Sequence, residues 1–171
     1  MELLLDEARQ LAGKGIKELI LVAQETTLYG MDLYGEKKLP ELLDRLCEIE
    51  GLIWIRIMYC YPEEITQELI DVMKRQPKIC HYLDIPIQSG SDRILKLMGR
   101  RTDTAQIEAL VDHLREEIQD ICIRTTFITG FPTETEEDFT ETMEFINRME
   151  FDRLGAFTYS PEEGTPAAVM D

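Results

Sequence analysis

The sequence has few of the residues from which metal and redox sites are built. Its 171 residues include two histidines, one tryptophan and four cysteines. The cysteines stand singly in apolar segments, without the close spacing of metal and redox motifs, at Cys47, Cys60, Cys80 and Cys122. We therefore interpret them as buried small hydrophobic residues, and we predict neither a metal site nor a disulfide framework.

Long apolar runs and basic residues are also scarce. The run at residues 19–23 is far too short to cross a bilayer, and the first residues lack the basic start of a secretory signal. These absences predict a cytoplasmic protein without membrane contact. The 34 acidic residues against 18 basic ones give a net charge of −16, which disfavours nonspecific binding to phosphate backbones. The charge favours basic partners, although a merely soluble acidic surface explains it as well.

The length and composition are those of an ordinary globular protein. A hydrophobic fraction of 44% and a charged fraction of 30% are sufficient for a sizeable core. A chain of this length predicts a single domain, which we assign to residues 1–171.

Apolar residues alternate between strand-like and helix-like spacing along the chain. Strands are predicted at residues 17–24, 53–60, 80–87, 121–129 and 152–159. Helices are predicted at residues 2–14, 40–49, 66–75, 91–98 and 105–118, with a last one opened by a capping box at Thr135 and Asp138 and ending near residue 149. The apolar run at residues 17–24 is typical of a strand buried on both faces.

A regular alternation of strands and helices indicates parallel strands joined by right-handed crossovers. The pattern fits an α/β barrel or a doubly wound sheet and does not separate the two. Five strands preceded by a helix that has no strand before it indicate a barrel that lacks its first strand. The strand at residues 17–24 would then have an unpaired edge, through which two copies could dimerise.

Polar residues follow every predicted strand, where parallel α/β folds bind ligands. They occupy residues 24–27, 59–62, 88–91, 130–134 and 160–165. Turn chemistry explains any one of these segments, but five together, with two glutamines that no cap requires, favour a site. Amides, carboxylates and arginines suit a small zwitterionic ligand that carries hydroxyls.

Two arginines lie inside apolar strands, where an unpaired charge is costly. We expect Arg56 and Arg124 to point into the barrel and to pair with carboxylates, for which Asp84 is available. Catalytic patterns such as HExxH, a P-loop or a Ser-His-Asp series do not occur.

The ordered segments after the strands resemble those of the radical S-adenosylmethionine (SAM) methylthiotransferases. The segments that carry this resemblance are LDIPIQSGS at residues 83–91, ILKLMGR at 94–100, RTTFITGFPTET at 124–135, FTYS at 157–160 and GTPA at 164–167. Within the family, AQETTLYG at residues 23–30, WIR at 54–56 with YCYP at 59–62, YLDIP at 82–86 and SPEEGT at 160–165 resemble the RimO-like branch. That branch modifies a small-subunit ribosomal protein.

The resemblance implies a fold, a reaction and cofactors. The fold would be a partial (β/α) barrel of radical SAM type, with about five parallel strands and outer helices, lacking the first strand and its CxxxCxxC cluster loop. The full-length enzyme would use SAM and two 4Fe–4S clusters to methylthiolate the β-carbon of an aspartate. The chain by itself would hold none of these cofactors firmly, would supply no catalytic or metal-ligating residue, and would be inactive.

The resemblance also implies SAM-binding residues, which divide according to the part of SAM that they meet. The amino and carboxylate end is assigned to Gln24, Glu25, Gln88, Ser89 and Arg100. The nucleoside end is assigned to Thr126, Gly130, Phe157 and Tyr159.

Two alternatives remain open. One is a MiaB-like enzyme that acts on transfer RNA, although the Ser-His-Pro turn and the basic residue typical of that branch are absent. The other is a non-catalytic α/β module that docks a basic protein. The favoured interpretation has a ribosomal protein as partner and no direct binding of nucleic acid.

Overall fold

Five strands form one parallel sheet whose order follows the chain. The computed structural model describes residues 1–170. The strands are β1 (Glu18–Leu21), β2 (Trp54–Ile57), β3 (Ile79–Asp84), β4 (Cys122–Thr129) and β5 (Arg153–Thr158). They are hydrogen-bonded in the order β1-β2-β3-β4-β5, and every neighbouring pair is parallel. Because a doubly wound sheet reverses its order at a switch point, this topology is that of a partial barrel.

Helices connect the strands as the apolar spacing predicts. They are α1 (Glu2–Gly13), α2 (Met31–Tyr34), α3 (Leu39–Cys47), α4 (Gln67–Arg75), α5 (Asp92–Leu97), α6 (Thr104–Glu117) and α7 (Glu136–Met149). The predicted capping box at Thr135 and Asp138 is confirmed at the start of α7. A second box, at Asp103 and Gln106, opens α6. The short α2 and three single 3₁₀ turns were not predicted, because they have no apolar period of their own.

The sheet has one apolar face and one polar face, because successive side chains of a strand point to opposite sides. Ile55, Leu83 and Ile123 are fully buried and belong to the hydrophobic core formed with the helices. The alternate positions carry polar side chains such as Arg56 and Arg124, which are partly exposed. The helices therefore cover one face, and the other face is left for the site.

The prediction that residues 17–24 form a strand buried on both faces is wrong. Strand β1 is four residues long, and the side chains of Ile20 and Val22 are more than half exposed. Within residues 1–170, β1 pairs with β2 and has no strand on its other side. An edge strand on a face without covering helices cannot bury its side chains on both sides.

The cysteine prediction is confirmed for two positions and wrong for two. Cys47 and Cys60 are buried, whereas Cys80 and Cys122 are half-buried on the polar face of the sheet. Burial raises the pKa of the Cys47 thiol to about 11. Among residues 1–170, no helix is long and apolar enough to span a membrane.

Candidate functional site

An ion pair on the polar face joins two strands at the level where β3 ends. The carboxylate of Asp84 is fully buried and accepts a hydrogen bond from the Arg124 guanidinium of β4. The same carboxylate accepts a hydrogen bond from the backbone N–H of Tyr59, at 3.3 Å, in the loop after β2. The hydrogen bond that Arg124 donates to Asp84 raises the pKa of Arg124. The predicted pairing of Arg124 with Asp84 is thus confirmed.

Arg56 also finds a carboxylate, but on β1. Its Nε donates to Glu18 at 2.7 Å, and its guanidinium lies 4.6 Å from the centre of the Tyr82 ring. The ion pair of Arg56 and Glu18 joins the neighbouring strands β2 and β1 on the polar face. It pairs the charge of Arg56, which would be costly without a partner. Both strand arginines therefore point to the polar face, as predicted, although each has its own partner.

A cavity of about 310 Å³ opens at the carboxyl ends of the strands. Its lining comes from the segments after β1, β2 and β3, from the residue Arg100 beyond α5, and from β4 and β5. The lining residues are Gln24, Tyr59, Tyr61, Pro86, Gln88, Arg100, Arg124, Thr126 and Phe157. Five of these were predicted as site residues: Gln24, Gln88, Arg100, Thr126 and Phe157. Residues far apart in the chain therefore meet at one cavity.

Gln88 is held in an unusual backbone conformation at this cavity. Its φ of 82° lies in the left-handed region of backbone conformation, which residues other than glycine rarely adopt. Its backbone N–H donates to the carbonyl of Thr126 at 2.8 Å, and its carbonyl accepts from Ile128 at 2.9 Å. Gln88 is therefore bound to β4 as a short extension of the sheet, which fixes where its side chain begins.

Arg100 reaches the cavity from beyond α5. Its guanidinium donates to the carbonyl of Pro86 and lies 4.8 Å from the centre of the Tyr61 ring. An arginine that is positioned by a carbonyl and an aromatic ring keeps further N–H groups with which it can bind a carboxylate.

Two of the predicted residues lie beside the cavity rather than on it, because their polar groups are used within the protein. The Glu25 carboxylate accepts hydrogen bonds from the N–H groups of Thr27, at 3.0 Å, and Tyr61, at 2.9 Å. Burial raises the pKa of Glu25. Ser89 is fully buried, and its hydroxyl accepts from the N–H of Ser91 at 3.1 Å.

The other two residues outside the cavity lining follow the ends of β4 and β5. Gly130 has a left-handed φ of 73°, and its N–H donates to the Glu134 carboxylate. Tyr159 hydrogen-bonds through its backbone to Thr129 of the neighbouring strand and packs edge-on against Phe131, with ring centres 5.5 Å apart. Both residues lie at the same end of the sheet as the cavity.

Tyr61 and Pro86 line the cavity without having been predicted as site residues. Tyr61 lies in the segment at residues 59–62, which the pattern marked as part of the ligand-binding edge, whereas Pro86 falls inside the strand predicted at residues 80–87 and lies two residues beyond the end of β3. The position of Tyr61 was therefore visible in the sequence, but its stacking against Arg100 depends on two loops 39 positions apart and had no local signal.

A larger cavity of about 550 Å³ lies between α1, β1 and α3. Its lining is mainly aliphatic and includes Leu4, Leu11, Leu19 and Leu42. It lies away from the carboxyl ends of β3, β4 and β5, where the polar groups converge. The smaller cavity is therefore the candidate site.

The described residues do not form an iron–sulfur or metal site. Within residues 1–170 no group of three or more His, Cys, Asp or Glu side chains could hold a metal ion. All four cysteines are free. The donor set of this part of the chain therefore does not fit a 4Fe–4S cluster, which needs cysteine thiolates.

Comparison with known protein families gives the class. The model of the radical SAM superfamily matches residues 1–146, and the chain belongs to this superfamily. The membership of the radical SAM superfamily that the resemblance implied is thereby confirmed.

Curated relatives show which members of the superfamily the chain resembles. The chain is 64% identical over 170 residues to the ribosomal protein uS12 methylthiotransferase RimO of Lachnoclostridium phytofermentans. The aligned region covers 99% of this chain and 39% of that protein. The chain is 56% identical, with the same coverage, to the RimO of Alkaliphilus oremlandii. The chain thus spans about two fifths of the length of these relatives.

Solved structures support the fold. Coproporphyrinogen III oxidase HemN of Escherichia coli, described as a radical SAM enzyme, matches with a TM-score of 0.70 and 23% identity, over 96% of this chain and 38% of that chain. Elp3 of Methanocaldococcus infernus matches with a TM-score of 0.63 and 17% identity, over 94% of this chain and 43% of that chain. The predicted partial barrel is thereby confirmed.

Proposed function

We propose that this chain binds SAM within a radical SAM methylthiotransferase that modifies ribosomal protein uS12. The observation that carries the proposal is the convergence of Gln24, Gln88, Arg100, Thr126 and Phe157 on one cavity. The likeness to RimO proteins along nearly the whole chain supports the reaction and the substrate.

The cavity has chemical groups that match those of SAM. The carboxamide oxygens of Gln24 and Gln88 can accept hydrogen bonds from an ammonium, and the Arg100 guanidinium can bind a carboxylate through two parallel bonds. The Thr126 hydroxyl suits a ribose hydroxyl. Phe157 is 59% exposed as a residue, and its ring offers a face on which adenine can stack.

The proposed task of this chain is to bind and orient SAM, and the difficult bond chemistry comes from the cofactors. Because residues 1–170 do not fit a 4Fe–4S cluster, we assign both implied clusters to other parts of the whole protein. We expect the isolated chain to be inactive. We assign the chain to a single barrel domain. In it, the cavity would be supported from its edges by Glu25, Ser89, Gly130 and Tyr159.

The proposed partner is a basic protein in the cytoplasm. The net charge of −16 favours a ribosomal protein over nucleic acid, which carries the same sign of charge.

For the isolated chain we also propose dimerisation through the open edge of β1, where Ile20 is half exposed. An Ile20→Lys variant should then sediment as a monomer at concentrations where the parent chain dimerises.

Equilibrium binding of SAM to the chain, followed by NMR, tests the site. Without a cluster the parent chain should bind SAM weakly, and Gln88→Ala should weaken binding further by about tenfold or more, the loss expected for one well-placed hydrogen bond to a charged group. Gln10→Ala on the exposed side of α1 is the matched control and should bind like the parent. A docking module without a SAM site would show no binding, or equal binding in all three proteins, and either result would refute the proposal.

A further inference from the structure

A threonine on the outer helix α7 contacts the turn that carries Gln88. The Thr142 hydroxyl accepts a hydrogen bond from the N–H of Gly90 at 3.1 Å and lies 3.3 Å from the Ser89 hydroxyl. The Ser89 hydroxyl in turn accepts from the N–H of Ser91. All of these groups are buried, so water does not compete for them. We call residues 88–91 the glutamine turn.

The glutamine turn also packs directly against the backbone of α7. A Cβ added at Gly90 would lie 2.8 Å from the Cα of Thr142 and 2.7 Å from the Cβ of Phe145. Atoms cannot approach so closely, so only glycine permits this contact. The turn therefore rests on the helix without an intervening side chain, which makes its position sensitive to the helix surface.

A second contact with α7 lies at the end of the glutamine turn. The buried carboxylate of Asp138 accepts from the Ser91 hydroxyl at 2.9 Å and from the Nε of Arg93 at 3.0 Å. Asp138 is also the residue at position N3 of α7, where it completes the capping box with Thr135. The first turn of α7 is thus tied to the start of α5 as well as to its own cap.

These contacts stabilise the backbone conformation of Gln88, whose φ of 82° lies in the unfavourable left-handed region. A strained conformation persists only where the surrounding structure determines it from several sides. On one side the carbonyl and N–H of Gln88 are bound to β4. On the other side Thr142 binds Gly90, two residues further along. The two sets of contacts together fix the direction in which the Gln88 side chain leaves the backbone.

We propose that Thr142 is a positioning residue for Gln88, acting through Ser89 and Gly90, and that it thereby sets the affinity of the cavity for the amino acid end of its ligand. The assignment of that ligand as SAM rests on the proposed function. In this proposal Ser89 supports the glutamine turn and does not touch the ligand. Thr142 lies on an outer helix and does not line the cavity, so it affects the ligand only through the glutamine turn.

Two substitutions at one position separate the hydroxyl from the shape of the side chain. Thr142→Val keeps the shape and removes the hydroxyl, whereas Thr142→Ser keeps the hydroxyl. Thr140→Val makes the same chemical change on the exposed side of the same helix and is the control. All variants are compared at temperatures where circular dichroism shows them to be folded.

Amide hydrogen exchange tests the positioning without any ligand. Thr142→Val should accelerate exchange at Gly90, and at Ile128, whose N–H is bound to Gln88, by about tenfold, the effect of losing one buried hydrogen bond. Thr142→Ser and Thr140→Val should leave both rates near those of the parent. Equal rates in Thr142→Val and Thr140→Val would overturn the proposal, whether or not SAM binds.

Ligand selectivity tests the consequence for the cavity. Thr142→Val should weaken binding of SAM by about tenfold and leave binding of adenosine, which lacks the amino acid end, unchanged. A general structural defect would weaken both ligands by the same factor, and that outcome would refute the role in positioning. Failure of the parent chain to bind SAM would refute the proposed function, while the exchange experiment would still decide whether Thr142 positions Gln88.

Discussion

Asp84 and Arg124 form an ion pair between β3 and β4 in which the carboxylate is fully buried and the guanidinium is one third exposed. The pair lies under the cavity, since Arg124 is part of its lining. Asp84 also binds the N–H of Tyr59, whose φ of 57° is left-handed. One carboxylate at the end of β3 therefore fixes a group of β4 and a group of the loop after β2, and removing it should disturb the cavity floor as a unit.

Removal of either partner of this pair should be costly, because it leaves a charge without its counterion. Asp84→Asn and Arg124→Met should each lower the free energy of unfolding by about 3 kcal/mol. The double variant should lose clearly less than the sum of the two, as measured by urea denaturation in a double-mutant cycle. The exposed pair of Asp6 and Arg9 is the control, for which the coupling should be below about 1 kcal/mol. Additive losses at Asp84 and Arg124 would contradict a coupled pair.

Gln88→Gly should separate stability from ligand binding. Glycine adopts a φ of 82° without steric cost, so the substitution relieves backbone strain while it removes the side chain. We expect the free energy of unfolding to stay the same or to rise by up to about 1 kcal/mol, and SAM binding to fall as in Gln88→Ala. Gln88→Ala should be less stable than Gln88→Gly, because alanine retains the strain. A Gln88→Ala variant more stable than Gln88→Gly would contradict backbone strain at this position.

Gly90→Ala should destabilise the protein for the opposite reason. The added methyl group would overlap with Thr142 and Phe145 of α7, and overpacking of this kind costs about 1–3 kcal/mol. Gly13, at the end of α1, is the matched control because an added Cβ there meets no atom within 4 Å. Gly13→Ala should be neutral or stabilising. Thermal unfolding of the two variants measures the contrast, and equal melting temperatures would argue against close contact at Gly90.

The parts of the site that could be predicted are those with a local signal. An arginine inside an apolar strand, as at Arg124, requires a partner, and Asp84 was an available carboxylate on the third predicted strand. The capping box of Thr135 and Asp138 is a pattern of four adjacent residues, and the structure has it where the spacing placed it.

The rest depends on contacts between distant residues, for which the sequence has no local signal. The burial of Ser89 results from Thr142, 53 positions away. The pairing of Arg56 with Glu18 depends on the register of β1 against β2. The exposure of Ile20 follows from the place of β1 at the edge of the sheet, and an apolar run has the same appearance at an edge and at the centre.

The contact between Asp138 and Arg93 should make stability depend on pH in the acid range. The hydrogen bonds from Arg93, and further ones from Thr135 and Ser91, hold the pKa of the Asp138 carboxyl well below its usual value. A lowered pKa means that the charged form is favoured in the folded state. Its stabilising effect is therefore fully present above the unfolded value of about 3.9, and it is lost as the pH falls towards the pKa of the folded state.

Asp138→Asn measures this contribution, since asparagine has the same shape and no charge. At pH 7 the variant should be less stable than the parent by about 2 kcal/mol, the value of a hydrogen-bonded charge. The difference should remain constant down to about pH 5 and should shrink below about pH 3.9, where the unfolded parent takes up a proton. Asp112→Asn, on the exposed side of α6, serves as the control and should show little difference at any pH. A difference of the same size at pH 3 and at pH 7 would mean that the charge of Asp138 contributes nothing, and that its role is only to fill space beneath Ser91.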